Sequence, residues 1–325
     1  MRAIIPVAGV GSRLRPHTYT LPKVLLNVAG KPIIGHIMDK LIDEQITEVT
    51  IVVGYLGEMV EKYIRDNYSI NADFVYQEGR EGLGHSIYIS RHTFQDEEVI
   101  IILGDTIFDV DLKEFCSSDY SVIGVKEVDD PRRFGVANTR GKFITRLVEK
   151  PENPESRLAL VGLYFIKNSI LLKDCLVELL DKKIKTRNEY QLTDALQMLL
   201  DKGEKIVPYH VEGWYDCGKS ETLLTTNKHL LSQKSTHRNI DDVVIIPPVY
   251  IAENCKIQKS IIGPYATIAE GAKICESIIR NSIIGNDAKV YCSFLEDSLI
   301  GNNSVVSGSY KRVNTGDSSE IEFNN

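Results

Sequence analysis

Apolar and polar positions over residues 1 to about 235 fall into alternating short runs. Ala3-Ile4-Ile5 opens the chain as a continuously apolar stretch and predicts a buried first strand. Pro32 to Gln45 predicts a helix, with Ile33, Ile34, Ile37, Met38, Leu41 and Ile42 on one side. Strands are predicted at Val49 to Val53 and Asp73 to Tyr76, and helices at Gly57 to Tyr68 and Gly84 to Phe94. Val99 to Leu103 is apolar without a break, as expected of a strand covered on both faces. This alternation predicts an α/β fold with a mostly parallel, doubly wound sheet. Ligands of such sheets sit beyond the carboxyl ends of the strands, where Gly9 and Asp105 both fall. From Ser121 the pattern is richer in strands, at Val122 to Val125, Val136 to Asn138, Phe143 to Val148 and Leu160 to Ile166. Helices near Ser169 to Leu180 and Leu192 to Lys202 follow. Then come a strand at Ile206 to His210, a turn over Trp214 to Gly218, and a helix to about Gln233.

The polar segment Ser232 to Asp242 marks a boundary, and the texture then becomes repetitive. Ile251-Ala-Glu-Asn-Cys-Lys-Ile257 recurs from Ile268, Ile284 and Ile300, at spacings of 16 or 17 residues. Aliphatic residues between these copies, at Ile262, Ile279 and Leu295, complete a hexapeptide-type repeat, the signature of a parallel β-helix with three short strands per coil. The expected division is residues 1–235 as an α/β domain and 236–325 as the β-helix, with the acidic tail after Val313 as a loose cap.

A chain of 325 residues is long enough for two domains and a substantial core. Its net charge of −7 argues against a general nucleic-acid binder. No apolar run reaches the length of a membrane span. Six cysteines form no C-x-x-C pair, so neither a zinc site nor a redox motif is expected, and reduced thiols fit a cytoplasmic protein.

The chemistry concentrates in Val7 to Lys23, VAGVGSRLRPHTYTLPK. Glycines there let the main chain approach a ligand closely. Successive N–H groups of such a turn form an anion-binding concavity. With Arg13, Arg15 and Lys23 beside it, a polyphosphate is the natural guest. Neither the P-loop pattern nor the complete G-x-G-x-x-G fingerprint is present, since Leu14 stands at the third glycine. The string Gly9-Val10-Gly11-Ser12-Arg13-Leu14-Arg15-Pro16-His17-Thr18, followed by Pro22-Lys23, resembles instead the G-x-G-[ST]-R-L-x-P-x-T…P-K signature of the sugar-1-phosphate nucleotidyltransferases. Ala8-Gly9, where many members carry Gly-Gly, resembles the variant common in glucose-1-phosphate uridylyltransferases.

The resemblance extends along nearly the whole chain. It implies a Rossmann-like catalytic domain followed by a left-handed β-helix, as in long-form glucose-1-phosphate thymidylyltransferases. Leu103-Gly104-Asp105 and Trp214-Tyr215-Asp216-Cys217-Gly218 resemble L-G-D and W-x-D-x-G, which implies Mg²⁺ on Asp105 and Asp216. Gln77 and the loop Glu78 to Gly84 resemble the base-reading loop, with the Gln77 amide and the Gly82 backbone at the base edge. His85, where relatives often have glutamine, reads as a helix-start residue and not a catalytic base. Phe134-Gly135-Val136 and Glu149-Lys150-Pro151 resemble Y-G-V and E-K-P. Gly162-Leu163-Tyr164 and Arg187-Asn188-Glu189 resemble further sugar-side motifs. These imply sugar-phosphate contacts from Gly135, Glu149, Lys150, Gly162, Tyr164 and Arg187. Nucleotide contacts are implied for Ala8, Gly9, Gly11, Ser12 and Arg13, and catalytic roles for Arg13, Lys23 and Asp105.

The expected reaction takes a nucleoside triphosphate and a hexose-1-phosphate, glucose-1-phosphate first, to an NDP-sugar and pyrophosphate. dTTP is expected somewhat ahead of UTP. Uridylyltransferase and guanylyltransferase activities are the alternatives within the class. A catalytically silent regulatory relative and a bifunctional enzyme whose β-helix transfers acetyl groups are alternatives outside it. Acetyl transfer to an amine in related β-helices uses a histidine base, and residues 240–325 hold none. The β-helix is therefore expected to have a structural or oligomerising role, and the protein to be a homo-oligomer.

Overall fold

The structure, a computed structural model, describes residues 1–235, 239–308 and 313–322. The expected boundary at 235/236 runs into residues 236–238, which lie outside the described residues. The chain forms two compact units: Met1–Gly9 with Ile37–Trp214, and Val10–His36 with Tyr215–Asn325.

The first unit is built on a nine-stranded sheet. Strands β1 (Arg2–Pro6), β2 (Glu48–Val53), β3 (Asn71–Tyr76) and β4 (Val99–Ile102) run parallel in the order β4-β1-β2-β3. A short strand β5 (Thr106–Asp109) follows β4 in the chain. The sheet then becomes mixed. Strand β9 (Leu158–Ile166) lies antiparallel to β4, to β6 (Ser121–Glu127) and to β7 (Gly135–Arg140), and β8 (Phe143–Glu149) closes the edge beside β7. Strand β10 (Ile206–His210) adds to β6 in parallel. The unbroken apolar run of β4 is fully buried, as its composition predicts. Helices α3 (Leu83–Ser90), α4 (Ser169–Asp181) and α5 (Leu192–Asp201) follow α1 (Ile33–Asp43) and α2 (Gly57–Asn67). Ile87, Leu172, Leu176, Leu179, Leu192, Leu196 and Leu199 of α3–α5 share one core with Ile4, Val52, Ile101 and Ile123 of the sheet.

Two expectations for residues 1–235 needed correction. Helix α3 ends at Ser90 and not at Phe94, because the chain turns there, with the Thr93 N–H and hydroxyl both donating to the Ser90 carbonyl. Phe94 is buried through the core and not through the helix. Trp214 to Asp216, expected as a turn, belongs to strand β11 (Gly213–Asp216).

In the second unit helix α6 (Ser220–Gln233) precedes the β-helix. Three all-parallel sheets, of four, five and five strands, stack coil upon coil, the arrangement of the left-handed parallel β-helix that the repeats imply. Ile257, Ile274, Val290 and Val306 stand in register on one side, and Ile262, Ile279 and Leu295 line another part of the same buried core. Serines at the corners add a feature the aliphatic pattern does not show. The N–H of Ser277 donates to Ser260 Oγ and that of Ser293 to Ser277 Oγ. A second column runs from Val313 N–H through Ser298 to Ser282. Each buried corner N–H is thereby satisfied at a point where the ladder is interrupted. The acidic tail is not a loose cap: Asn314–Thr315 and Glu320–Glu322 continue two of the sheets and pair backbone that would otherwise form an open edge.

Candidate active site

In the second unit, Gly11 takes a left-handed conformation (φ 63°) and starts a single 3₁₀ turn, Ser12–Leu14. Its carbonyl accepts from Leu14 N–H (2.8 Å) and Thr18 Oγ1 (2.9 Å). A Cβ here would stand 2.9 Å from Thr18 Cγ2 and 3.0 Å from Lys23 Cβ, so glycine is required twice over. Leu14 is buried and pins the turn, while Ser12 and Arg13 face solvent. Lys23 is only 8% exposed. The Arg13 guanidinium and the Asp216 carboxylate crowd one point above Gly218: a Cβ there would lie 2.7 Å from Arg13 Nη2 and 2.8 Å from Asp216 Oδ1. Arg15, the third cation of the stretch, stacks on the Tyr19 ring at 4.8 Å.

This loop is held from the far end of the chain. His17 is buried and its Nε2 donates to Asn314 Oδ1, while Asn314 Nδ2 donates to Ser220. Burial lowers the His17 pKa, against the opposing effects of the Asn314 bond and the Asp317 charge. Thr20 donates to Asp317 Oδ2 at 2.6 Å, and Pro16 packs on Gly316. The last coil thus clasps the loop on both sides of Thr18. A second tie is Asn227 of α6, fully buried: its Oδ1 accepts from Ala29 N–H and Thr267 Oγ1, and its Nδ2 donates to the Tyr265 carbonyl. Sequence reasoning singled out none of Asn227, Asn314 or Asp317. Their partners lie up to 297 residues away, so no local pattern marks them.

In the first unit, Ala8 and Gly9 follow β1 and Asp105 follows β4, at the carboxyl ends of adjacent parallel strands. Gly104 N–H donates to the Pro6 carbonyl and Leu103 N–H to the Gly162 carbonyl, which ties Asp105 to both neighbouring strands. Among the described residues no group of three or more His, Cys, Asp or Glu is placed to hold a metal. Magnesium needs only one or two carboxylates beside substrate phosphates, and the half-buried Asp105 and Asp216 each supply hard oxygen donors of the right kind.

Gln77 follows β3, its N–H held by the Val53 carbonyl. Its side-chain Nε2 donates to the Gly82 carbonyl (3.2 Å) and to His85 Nδ1 (3.0 Å), while Oε1 accepts from Ser86 Oγ (2.6 Å). The amide therefore spends both of its N–H groups inside the loop and keeps one oxygen lone pair to offer. Gly82 has φ 99°, and a Cβ on it would lie 2.5 Å from the Tyr190 carbonyl.

The sugar-side candidates gather around Glu149. Its carboxylate accepts from Thr193 Oγ1 (2.7 Å), pairs with Lys150 Nζ (3.0 Å) and lies 3.1 Å from the position a Gly135 Cβ would take. Arg187 Nη2 donates to the Lys150 carbonyl. Tyr164 is buried, and burial, helped by the Glu149 charge, pushes its phenol pKa up. Gly162 packs against Leu103. Thr193 and Asp194 belong to this cluster although the sequence reading passed over them. Burial raises the Asp194 carboxyl, opposed by a Thr186 hydrogen bond and reinforced by Glu149, and its Oδ2 has no partner among the described residues. Polar residues opening an otherwise apolar helix were the available signal.

The nucleotidyl transferase family matches residues 2–233, and the chain belongs to it. It is similar to a low-salt glycan biosynthesis nucleotidyltransferase, Agl11, of Haloferax volcanii, 30% identical over 87% of each chain. It is 37% identical to the bifunctional protein GlmU of Methanocaldococcus jannaschii over 78% of this chain, but spans only 60% of that relative's length. A glucose-1-phosphate thymidylyltransferase of Streptomyces antibioticus is 31% identical over 86% of this chain and 81% of the relative. Among solved structures, a UDP-glucose pyrophosphorylase complexed with UDP-glucose matches 72% of this chain and 99% of its own, with a TM-score of 0.62 at 25% identity. No helix among the described residues is long and apolar enough to cross a membrane.

Proposed function

We propose that the protein transfers a nucleotidyl group from a nucleoside triphosphate, dTTP ahead of UTP, to glucose-1-phosphate, forming an NDP-glucose and pyrophosphate. The observation that carries this reading is the Gly11–Lys23 loop, with its required left-handed glycine, exposed Arg13 and buried Lys23, in a chain of this family. The sugar phosphate is an anion near pH 7, so its oxygen attacks the α-phosphorus without a general base. The bond from the α-phosphorus to its bridging oxygen breaks, and pyrophosphate leaves with the electron pair. Catalysis then consists of positioning and charge neutralisation.

Each residue has a task in this reading. Ala8, Gly9, Gly11 and Ser12 present backbone to the triphosphate, and Arg13 holds its pyrophosphate end. Lys23 neutralises charge growing at the α-phosphorus. Gln77 and Gly82 hold the base. Gly135, Glu149, Gly162 and Tyr164 hold sugar hydroxyls, and Lys150 and Arg187 the sugar phosphate. Asp105 and Asp216 would hold Mg²⁺, which would supply charge neutralisation on the phosphates. Residues 1–235 carry the transfer in the cytoplasm, and the β-helix of 236–325 supports the fold and assembles copies.

Pyrophosphate release over a grid of four nucleotides and several sugar-1-phosphates tests this. The expected result is Mg²⁺-dependent turnover with glucose-1-phosphate, and little use of CTP or GTP. The thymine methyl adds about 0.8 kcal/mol, so dTTP should lead UTP only about fourfold. No turnover with any pair would favour a regulatory sugar-nucleotide-binding role, and a GTP preference would place the enzyme with the guanylyltransferases. The same preparation should consume no acetyl-coenzyme A with an amino-sugar phosphate; consumption would make the β-helix catalytic.

A further inference from the structure

Resting on the transferase reading, we propose that His85 is a specificity-determining positioning residue: as a hydrogen-bond acceptor it locks the Gln77 amide so that only an acceptor faces the base, which selects pyrimidine-2,4-diones over cytosine. The polarity of the amide follows from its partners. The Gly82 carbonyl can only accept, so the group 3.2 Å from it is the NH₂. His85 Nδ1 stands 3.0 Å from the same NH₂ and must therefore accept, which puts the ring proton on Nε2. The Ser86 hydroxyl completes the arrangement by donating to Oε1 at 2.6 Å.

The Gly82 N–H donates to no group among the described residues. The loop therefore has a backbone donor and an amide acceptor to offer. Thymine and uracil present the matching pair, a carbonyl oxygen next to a ring N–H. Cytosine presents a ring-nitrogen lone pair where that N–H would be, so two acceptors would oppose each other. Without His85 the lock is weak. The Ser86 hydroxyl already lies 3.3 Å from the Gly82 carbonyl and can turn to it. The Gly82 carbonyl also keeps the Ser86 N–H, at 3.2 Å. The amide is then held by the Gly82 carbonyl alone, through one N–H at 3.2 Å, and rotating it to offer its NH₂ to a cytosine ring nitrogen costs less than when two acceptors face that NH₂. His85 is the second acceptor opposing this rotation.

The groups facing His85 are Glu81 and Lys185, paired with each other at 2.8 Å, and the rings of Tyr88 and Tyr190 at centroid distances of 6.3 and 6.5 Å. Burial lowers the His85 pKa, Glu81 opposes this and Lys185 reinforces it, so the neutral acceptor form prevails at pH 7. Protonation would place an N–H against the amide N–H, and burial shifts that protonation toward lower pH.

The test is kcat/KM for UTP and for CTP in the full-length protein, its His85→Leu and His85→Asn variants, each from pH 5 to 8. Leucine removes the acceptor, whereas asparagine supplies a carbonyl oxygen near the Nδ1 position. His85→Leu is expected to raise the CTP-to-UTP ratio about tenfold or more, expressed mainly in KM. His85→Asn should keep the parental ratio. The parental UTP activity should fall in acid where that of His85→Asn does not. An unchanged ratio in His85→Leu, together with identical acid profiles of parent and His85→Asn, overturns the proposal while leaving the transferase reading intact. Absence of parental turnover with every nucleotide overturns both.

Discussion

Asp105→Asn is expected to lower kcat by about 10²-fold or more, the size of effect seen when one preorganised transition-state contact is lost. Asparagine has the same shape, and the backbone bonds that fix the turn, Gly104 to Pro6 and Leu103 to Gly162, do not involve the side chain. The substitution therefore removes the charge while keeping the shape, these backbone bonds and an oxygen that can accept from Thr106 Oγ1. Because a carboxylate is a far better ligand for a hard cation than an amide, the Mg²⁺ concentration for half-maximal rate should rise together with the loss of kcat. Rates measured across a Mg²⁺ titration, with unfolding midpoints as the control, check this. Parental rates at all Mg²⁺ concentrations in a folded variant would show that Asp105 is a turn residue only.

Removing the Lys23 charge should cost a comparable factor, about 10²-fold in kcat. Lys23→Ala alone does not isolate the charge, because the side chain is buried and its stem packs beside Gly11. Lys23→Met keeps the stem and loses the ammonium, so both variants should lose the rate while only alanine also loses stability through the missing methylenes. If the charge acts mainly on the transition state, kcat falls and KM for the nucleotide changes little. A large KM increase with unchanged kcat would instead assign Lys23 to ground-state binding of the triphosphate.

Much of the architecture could be read from local patterns because its cause is local. The run Val99 to Ile102 is apolar without interruption because it is covered on both faces, and the 16–17-residue spacing of the isoleucines follows from one coil of the β-helix. The end of the β-helix was misread for the same reason: Asn314–Thr315 and Glu320–Glu322 pair through backbone, and a single aliphatic residue, Ile321 in register with Val306, continues the ladder there. Trp214 to Asp216 resembled a turn because the glycines on either side, Gly213 and Gly218, punctuate a strand as readily as a loop. The candidate residues could be identified by type but not by hydrogen-bond state. That Gln77 has both N–H groups engaged depends on Gly82 and His85 folding back over it, and that His17 is held depends on a residue near the other terminus.

That last bond ties the protein's working order to the order of its synthesis. His17 leaves the ribosome 297 residues before Asn314. At roughly 5–20 residues per second this is a delay of roughly 15–60 s. Until the final coil is made, Thr20 has no Asp317 and Pro16 no Gly316 to pack on. A chain that stops early, even with every motif of the first 235 residues in place, carries the Gly11–Lys23 loop without its clasp. Synthesis through Asp317 is thereby built into the loop as a condition for its final shape.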